Sequence, residues 1–155
     1  KLKSAMPNCS VTTDIIVGFP GEDENDFNDT LDVVNYCKYD SAFTFIFSPR
    51  IGTPAAKMTD NVSLEEKENR LYRLNDLVNK YSRENNMKYQ DKIVDVLLEE
   101  KSNKEGYLKG YTDTMKLVNV KCDESFLGSI VPVKINDIKT WSMDGVMVDI
   151  KETIK

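Results

Sequence analysis

The sequence has no histidine and only three cysteines, Cys9, Cys37 and Cys122. Histidine is the commonest general base and metal ligand near neutral pH, so its absence removes the usual route to both kinds of site. An odd and widely scattered set of cysteines argues against a disulfide framework and favours a reducing compartment. We therefore expect a cytoplasmic protein in which the cysteines are structural or incidental.

Long apolar runs are also missing. No stretch of about 18 apolar residues occurs, so we expect no membrane span. No basic and then apolar N-terminal segment precedes a small-residue cleavage site, which argues against export. Because the chain begins at Lys1 without an initiator methionine, we expect it to be part of a longer protein.

An excess of basic residues is the third absence. The net charge is −5, and residues 91–155 hold ten lysines against twelve acidic residues. Nucleic-acid-binding domains commonly show a basic excess. Any contact with RNA must therefore come from a local patch, and a solvated face of mixed charge is the competing interpretation.

The first part of the chain has the pattern of a β-α-β unit. Val11–Val17 is rich in β-branched residues and stops at the turn cluster Gly18–Gly21. Apolar residues at helical spacing predict a helix over Asp23–Lys38, and aromatic residues predict a buried strand over Ala42–Phe47. This order implies parallel strands joined by a right-handed crossover. The loop Ser48–Pro54 then follows a strand end, where α/β folds bind ligands.

A long helix and a run of short strands follow. Ser63 and Glu66 have the capping-box spacing, and the periodicity predicts a helix from Ser63 to about Tyr89, roughly 40 Å long. Five β-type runs come next, separated by turn residues that include Asp144-Gly145: Ile93–Leu98, Tyr107–Tyr111, Lys116–Val120, Ile130–Ile135 and Val146–Ile150. We predict an α/β part over residues 1–89 and a small five-stranded OB-like barrel over residues 90–155.

Three blocks of sequence carry a family resemblance. They are Thr13–Glu22 (TDIIVGFPGE), Ser48–Ala56 (SPRIGTPAA) and Gly110–Val120 (GYTDTMKLVNV), and the match continues through Asp123–Ser125, Leu127–Gly128 and Lys139–Ser142. In this order the blocks resemble the radical-SAM methylthiotransferases. The resemblance implies the C-terminal remnant of a partial (β/α) radical-SAM barrel, a long linking helix and a TRAM domain.

Three further short segments indicate one branch of that family. Tyr39–Phe45, Lys116–Asn119 and Lys139–Ser142 resemble the branch that adds a methylthio group to C2 of N6-isopentenyladenosine beside the anticodon of tRNA. The resemblance implies a radical reaction with S-adenosylmethionine as cofactor, 4Fe-4S clusters as reductant and second centre, and tRNA as partner. It also implies a role in tRNA modification.

The sequence departs from the family in its cysteines. The radical-SAM cluster needs Cys-x3-Cys-x2-Cys, and the three cysteines here are too dispersed to match. The resemblance also implies first barrel strands and an N-terminal cluster domain, which we expect to lie outside this piece. We expect no catalytic residue, no metal site and no bound cofactor in this piece, which should be inactive alone.

The resemblance implies two sets of site residues. Asp14, Ile16, Gly18, Phe19 and Arg50 would contribute to the S-adenosylmethionine pocket. For Asp14 a place in the barrel interior or a cap on a neighbouring turn stays open, and for Arg50 a surface ion pair is the alternative.

The RNA-binding set is Lys104, Lys109, Lys116, Asn119 and Trp141. The lysines and Asn119 would contact phosphates, and Trp141 would stack on an unpaired base. Packing within the barrel or at its rim is the alternative for the tryptophan.

Two functional hypotheses remain open. The chain is either part of the enzyme or a stand-alone RNA-binding module, and a protein-interaction adaptor is a third reading of the acidic balance. The two enzyme-like loops favour the first. An incomplete barrel would expose an unpaired strand edge, so we expect self-association through that edge.

Overall fold

The computed structural model describes residues 1–149, which fall into two compact units. The α/β unit is Val11–Ser82. The barrel unit combines Lys1–Ser10 with the chain from Arg83 onward. Among the described residues, no helix combines the length and the apolar character needed to span a bilayer.

The α/β unit is built on two parallel strands. Its elements are β1 (Thr12–Val17), α2 (Glu24–Cys37), β2 (Ser41–Ile46) and most of α3 (Leu64–Met87), with the short α1 (Leu2–Ala5) lying before them in the chain. Strands β1 and β2 pair in register from Thr12–Ser41 to Val17–Ile46. The predicted strand-helix-strand order and the parallel pairing are confirmed.

Local sequence explains where helix α2 begins and ends. Asp23 caps it by accepting hydrogen bonds from the backbone N–H groups of Asn25 (2.7 Å) and Asp26 (2.9 Å), and the Asp26 carboxylate accepts from the Asp23 N–H (3.0 Å). These bonds satisfy donors that have no partner inside the helix. Lys38 closes the helix in the left-handed conformation, with φ of 47°.

At helix α3 only half of the predicted capping box is present. The Ser63 hydroxyl accepts from the Glu66 N–H at 3.2 Å. The Glu66 carboxylate pairs with Arg70 one turn further along the helix. The predicted reciprocal bond is thus replaced by a contact that ties the helix start to a buried guanidinium.

The two faces of the β1–β2 sheet differ. One face packs on the helices through a buried core that contains Val17, Phe27, Val34, Leu74, Val78 and Tyr81. On the other face Ile16, Phe43 and Phe45 are 56%, 68% and 51% exposed. Within residues 1–149 neither strand pairs with a second neighbour. The sheet therefore leaves both an apolar face and two edges uncovered by the described chain.

The barrel unit holds a closed five-stranded barrel, as predicted. Its strands are β3 (Ile93–Lys101), β4 (Tyr107–Thr112), β5 (Leu117–Lys121), β6 (Ile130–Ile138) and β7 (Met143–Met147). The order around the barrel is β3-β4-β5-β7-β6, and β6 pairs back to β3. The pairs are antiparallel except β5–β7, which is parallel. Ten buried apolar side chains fill the interior.

The position predicted for the last strand is wrong. Asp144 and Gly145, read as a turn, lie inside β7, which spans Met143–Met147 rather than Val146–Ile150. A Cβ on Gly145 would stand 2.4 Å from Val133 Cγ1, so glycine is needed here for close packing and not for a turn. Ile150 lies outside the described residues.

Candidate functional site

A cavity of about 540 Å³ opens at the C-terminal ends of β1 and β2. Side chains from both strands and from the loop after β2 line it: Asp14, Ile16, Phe19, Phe45, Ile46, Phe47, Ser48, Arg50, Thr53 and Ala55. This volume lies in the usual range for small-molecule sites. The cavity belongs wholly to the α/β unit.

Four of the five residues predicted to contact the cofactor line this one cavity. They are Asp14, Ile16, Phe19 and Arg50. The parallel register sets Asp14 opposite Phe43 and Ile16 opposite Phe45. The wall is thus continuous across both strands.

Gly18, the fifth predicted residue, does not line the cavity but shapes the loop beside it. It is buried and has φ of 71°, a left-handed conformation that glycine adopts without strain. A Cβ here would lie 2.3 Å from Cγ of Lys67. Glycine therefore lets the lysine stem pass directly against the loop.

The cavity combines an apolar wall with two opposite charges. Phe19 and Phe47 pack edge to face with ring centroids 5.0 Å apart. Within residues 1–149 the Arg50 guanidinium makes no hydrogen bond and no ion pair. The backbone turn at Arg50 is fixed by Thr53, whose hydroxyl donates to the Arg50 backbone oxygen at 2.8 Å. Aromatic walls suit a purine, a guanidinium suits a carboxylate, and Asp14 suits a cation or ribose hydroxyls.

The lining therefore holds the kinds of group that the predicted S-adenosylmethionine pocket requires: an apolar wall, a cation and an anion. It does not fit an iron–sulfur cluster. Across residues 1–149, no group of three cysteine, aspartate or glutamate side chains is arranged to hold a metal ion. The three cysteines are free thiols, and burial raises the pKa of Cys122.

Sequence reasoning missed the residue that braces the cavity's first loop. Arg70 is 1% exposed, and its guanidinium donates to the Glu22 carboxylate (2.7 Å) and to the Glu22 backbone oxygen (3.0 Å). The Glu22 carboxylate also accepts from the Gly18 N–H at 3.0 Å. Helix α3 therefore holds both ends of the Gly18–Glu22 loop through one carboxylate. An arginine within a helix that also carries apolar core residues was the only signal in the sequence.

A second ion pair lies on the same side of the loop. Lys67, itself buried, donates to Asp60 at 2.5 Å, and its ammonium lies 5.7 Å from the centroid of Phe47. The hydrogen bond from Lys67 lowers the pKa of Asp60. The lysine thus links helix α3 to the aromatic wall of the cavity.

On the barrel unit, three of the predicted RNA-binding residues take part in ion pairs or hydrogen bonds with neighbouring side chains. The Lys104 ammonium pairs with Asp144, and Asn119 donates to the same carboxylate at 3.1 Å. Lys139, not in the predicted set, also reaches Asp144, at 2.6 Å. Lys109 pairs with Glu100 at 3.0 Å. Asp144 is therefore the centre of a polar cluster that sequence analysis had assigned to a turn.

Charge and burial act in opposite directions on Asp144. Burial tends to raise the pKa of its carboxyl, but hydrogen bonds from Lys104, Lys139 and Asn119 outweigh it, so the pKa is lowered. The same contact with Asp144 raises the pKa of Lys139. The ammonium groups of Lys104 and Lys139 are thus held against one carboxylate on the barrel surface.

The last two predicted residues differ in exposure. Lys116 is only 8% exposed, in the turn where its backbone N–H donates to the Thr112 hydroxyl at 3.1 Å. This burial gives no support to the predicted phosphate contact of Lys116. Trp141 is 73% exposed and is the only tryptophan of the chain.

The chain resembles known proteins at two levels. Residues 88–148 match the TRAM domain family. Nearly the whole chain is similar to proteins named tRNA-2-methylthio-N(6)-dimethylallyladenosine synthase. The relative from Halalkalibacterium halodurans is 54% identical over 98% of this chain, and that from Bacillus subtilis is 54% identical over 96%. A Bacillus cytotoxicus relative is 51% identical over 96%. The chain spans 28–30% of the length of these relatives.

Proposed function

We infer that this chain is part of a tRNA methylthiotransferase. Residues 88–148 match the TRAM domain family, and nearly the whole chain is similar to enzymes of that kind. The reaction proposed is addition of a methylthio group to C2 of N6-isopentenyladenosine beside the anticodon of tRNA, in the cytoplasm. The observation that carries this proposal is 54% identity, over 98% of the chain, to a protein named tRNA-2-methylthio-N(6)-dimethylallyladenosine synthase.

The α/β unit is proposed to supply part of the S-adenosylmethionine pocket. Bound there, the cofactor would supply the methyl group and the radical chemistry. The residues of this chain would bind and orient it: Phe19 and Ile16 as an apolar wall, Arg50 for a carboxylate and Asp14 for a cation or ribose. We expect the clusters to be held by other parts of the enzyme and this chain to be inactive alone.

The barrel unit, within the proposed domain of residues 90–155, is proposed to bind tRNA. Lys104, Lys139 and Asn119 lie together around Asp144, and Asp137 stands 3.7 Å from the Lys139 ammonium. The exposed donors of the two lysines are proposed to contact phosphates. A stand-alone RNA-binding module would share this surface. The cavity lined from two strand ends favours the enzyme, because RNA binding alone gives it no use.

A chimera tests the proposal. The homologous segment of the Bacillus subtilis relative is replaced by this chain in a strain that lacks the enzyme, and tRNA nucleosides are quantified by mass spectrometry. We expect the methylthio nucleoside to return. The chain expressed alone should give none.

Variants of the chimera test the pocket. Arg50→Ala should raise the KM for S-adenosylmethionine by tenfold or more, because a charged hydrogen bond is lost. Lys57→Ala, which changes a cation outside the lining, is the matched control. A chimera that binds tRNA yet makes no product would favour the binding module, and an unchanged KM would remove Arg50 from the pocket.

A further inference from the structure

The loop before β7 is held in place at two levels. Its own turn is closed by the Lys139 N–H, which donates to the Ser142 oxygen at 2.9 Å. From helix α3, the Asn86 amide nitrogen donates to the backbone oxygens of Lys139 and Thr140, both at 3.0 Å. Both hydrogen bonds that the amide nitrogen donates thus end on the loop that presents Trp141.

Asn86 has no other described role to explain its burial. It is 4% exposed, and its side-chain oxygen has no hydrogen-bond partner within residues 1–149. Leaving a buried acceptor unpaired is costly. The hydrogen bonds that the Asn86 side chain does make fix the backbone of residues 139 and 140.

Trp141 follows directly in this fixed loop. Single exposed apolar residues are common and need no function. This indole differs because its backbone is tethered and because it has an ammonium two residues away. An exposed aromatic ring is a platform on which any unpaired base can stack.

The adjoining cations are fixed as well. Asp144 holds the ammonium groups of both Lys139 and Lys104, whose side chains remain 42% and 43% exposed. Each ammonium has three protons, so pairing with Asp144 leaves protons for a phosphate oxygen. Backbone phosphates flank every base of an RNA strand, so the ring and the cations suit one nucleotide.

We propose that this loop forms a single-nucleotide subsite for unpaired RNA, in which Trp141 stacks on the base and Lys139 with Lys104 binds the adjoining phosphate. Asn86 is its positioning residue. The inference rests on the proposed tRNA-binding function and adds the type of nucleotide, the partner lysine and the residue that sets the geometry.

Fluorescence of the sole tryptophan tests the subsite directly in the full chain. A short single-stranded RNA should quench it on binding, whereas a fully paired RNA duplex and inorganic polyphosphate should not. In parallel, anisotropy of the labelled single strand measures affinity for variants. Trp141→Ala should weaken binding about tenfold, and Trp141→Phe should keep most of it. Tyr36→Ala, which removes an exposed ring in the α/β unit, is the matched control and should have no effect.

The role of Asn86 is tested by the isosteric Asn86→Asp, which removes both donated protons, and by Asn86→Ala. Both should increase the local motion of Trp141, seen in its fluorescence anisotropy decay, and weaken single-strand binding severalfold. The salt dependence should stay unchanged because the phosphate contacts remain. Asn136→Ala, an exposed asparagine of the same unit, is the control. Circular dichroism identifies any variant that fails to fold, in which case Trp141→Phe and Trp141→Ala carry the test.

Two outcomes overturn the subsite and differ from each other. If the chain binds tRNA but Trp141→Ala binds as well as the wild type, or duplex quenches as strongly as single strand, the subsite is wrong and tRNA binding stands. If the wild-type chain binds neither tRNA nor single-stranded RNA, the proposed function of the barrel unit fails with it.

Discussion

The two sheets of this chain differ in whether their edge strands are paired. The five-stranded sheet of β3 to β7 closes into a barrel, so every strand has two neighbours and the inward side chains fill one core. The β1–β2 sheet has two strands, an exposed apolar face and no third strand within residues 1–149. The closed sheet satisfies its own backbone, whereas the open sheet depends on whatever covers it. We expect the barrel unit to tolerate isolation and the α/β unit to respond to its surroundings.

The largest effect should come from breaking the closed sheet at Gly110. A Cβ at this position would stand 1.8 Å from the Leu97 backbone oxygen, and the backbone there cannot move without unpairing β3 and β4. Gly110→Ala should cost more than about 4 kcal/mol of unfolding free energy. Hydrogen exchange read peptide by peptide should show lost protection throughout the barrel strands and unchanged protection in α2.

Gly106→Ala is the control for that change. No atom lies within 4 Å of the added methyl group, so only the left-handed backbone conformation, with φ of 74°, is penalised. We expect about 1–2 kcal/mol. An equal loss for both variants would mean that close strand approach does not limit the barrel.

The next largest effect should fall on the open sheet. Arg70→Met removes the buried guanidinium that neutralises Glu22 and Glu66, leaving the partly buried Glu22 carboxylate without its cation. We expect a loss of about 3 kcal/mol. Helix content followed in urea should fall earlier, while exchange in the barrel strands stays slow. Arg83→Met, on the same helix, is the matched control, and a barrel that loses protection in Arg70→Met would erase the contrast between the two units.

Asp144 should make a smaller contribution to the free energy of unfolding, and unlike that of an unpaired carboxylate this contribution should depend on pH. Its folded pKa lies below the ordinary 3.8, so the stability it supplies is complete above that pH and is lost as the pH falls further. The raised pKa of Lys139 gives the opposite limit, with its share lost as the pH rises beyond 10.5. Asp144→Asn should therefore cost about 1 kcal/mol between these limits, and the cost should disappear only as the pH falls below the lowered pKa of Asp144.

Urea midpoints of the barrel across pH, compared with those of the wild type, measure this difference. Asp95→Asn serves as the control because Asp95 makes no ion pair among the described residues. A constant difference at every pH would show that the Asp144 substitution acts through packing and not through charge.

The smallest effect on stability should come from the open face itself. Phe43 is 68% exposed, so Phe43→Ser should change the unfolding free energy by less than about 0.5 kcal/mol. It should instead reduce the self-association that we expect of the open sheet, measured by sedimentation velocity at rising concentration. Tyr36→Ser, an exposed ring on α2, is the control, and equal sedimentation of both variants and wild type would argue that the sheet does not self-associate.

Sequence reasoning succeeded where local pattern and structure agree. Periodicity located α2 and α3 within two residues, and β-branched runs located four of the five barrel strands. It failed at β7, where Asp144-Gly145 has the composition of a turn but close packing on β6 requires the glycine and two lysines hold the aspartate. Such contacts come from residues distant in the sequence.

The same limit applies to the candidate site. The resemblance indicated Asp14, Ile16, Phe19 and Arg50, but Phe45 and Phe47 joined them only through the register of two strands. Arg70 and Asn86 act on loops about fifty residues away along the chain, and neither belongs to a motif. Motifs thus identify groups that can meet a ligand, while the residues that hold those groups in place emerge from tertiary packing.

The parallel pair β5–β7 has a consequence for how the molecule is made. Strands β3, β4 and β5 form a meander from neighbouring segments, but β7 must fit between β5 and the returning β6. On the ribosome the meander can assemble early, while the seam stays open until residue 147 has left the exit tunnel. The hydrogen bond from Asn119 to Asp144 joins β5 to β7. The carboxylate that binds the two surface lysines therefore also stabilises the last strand pair to form.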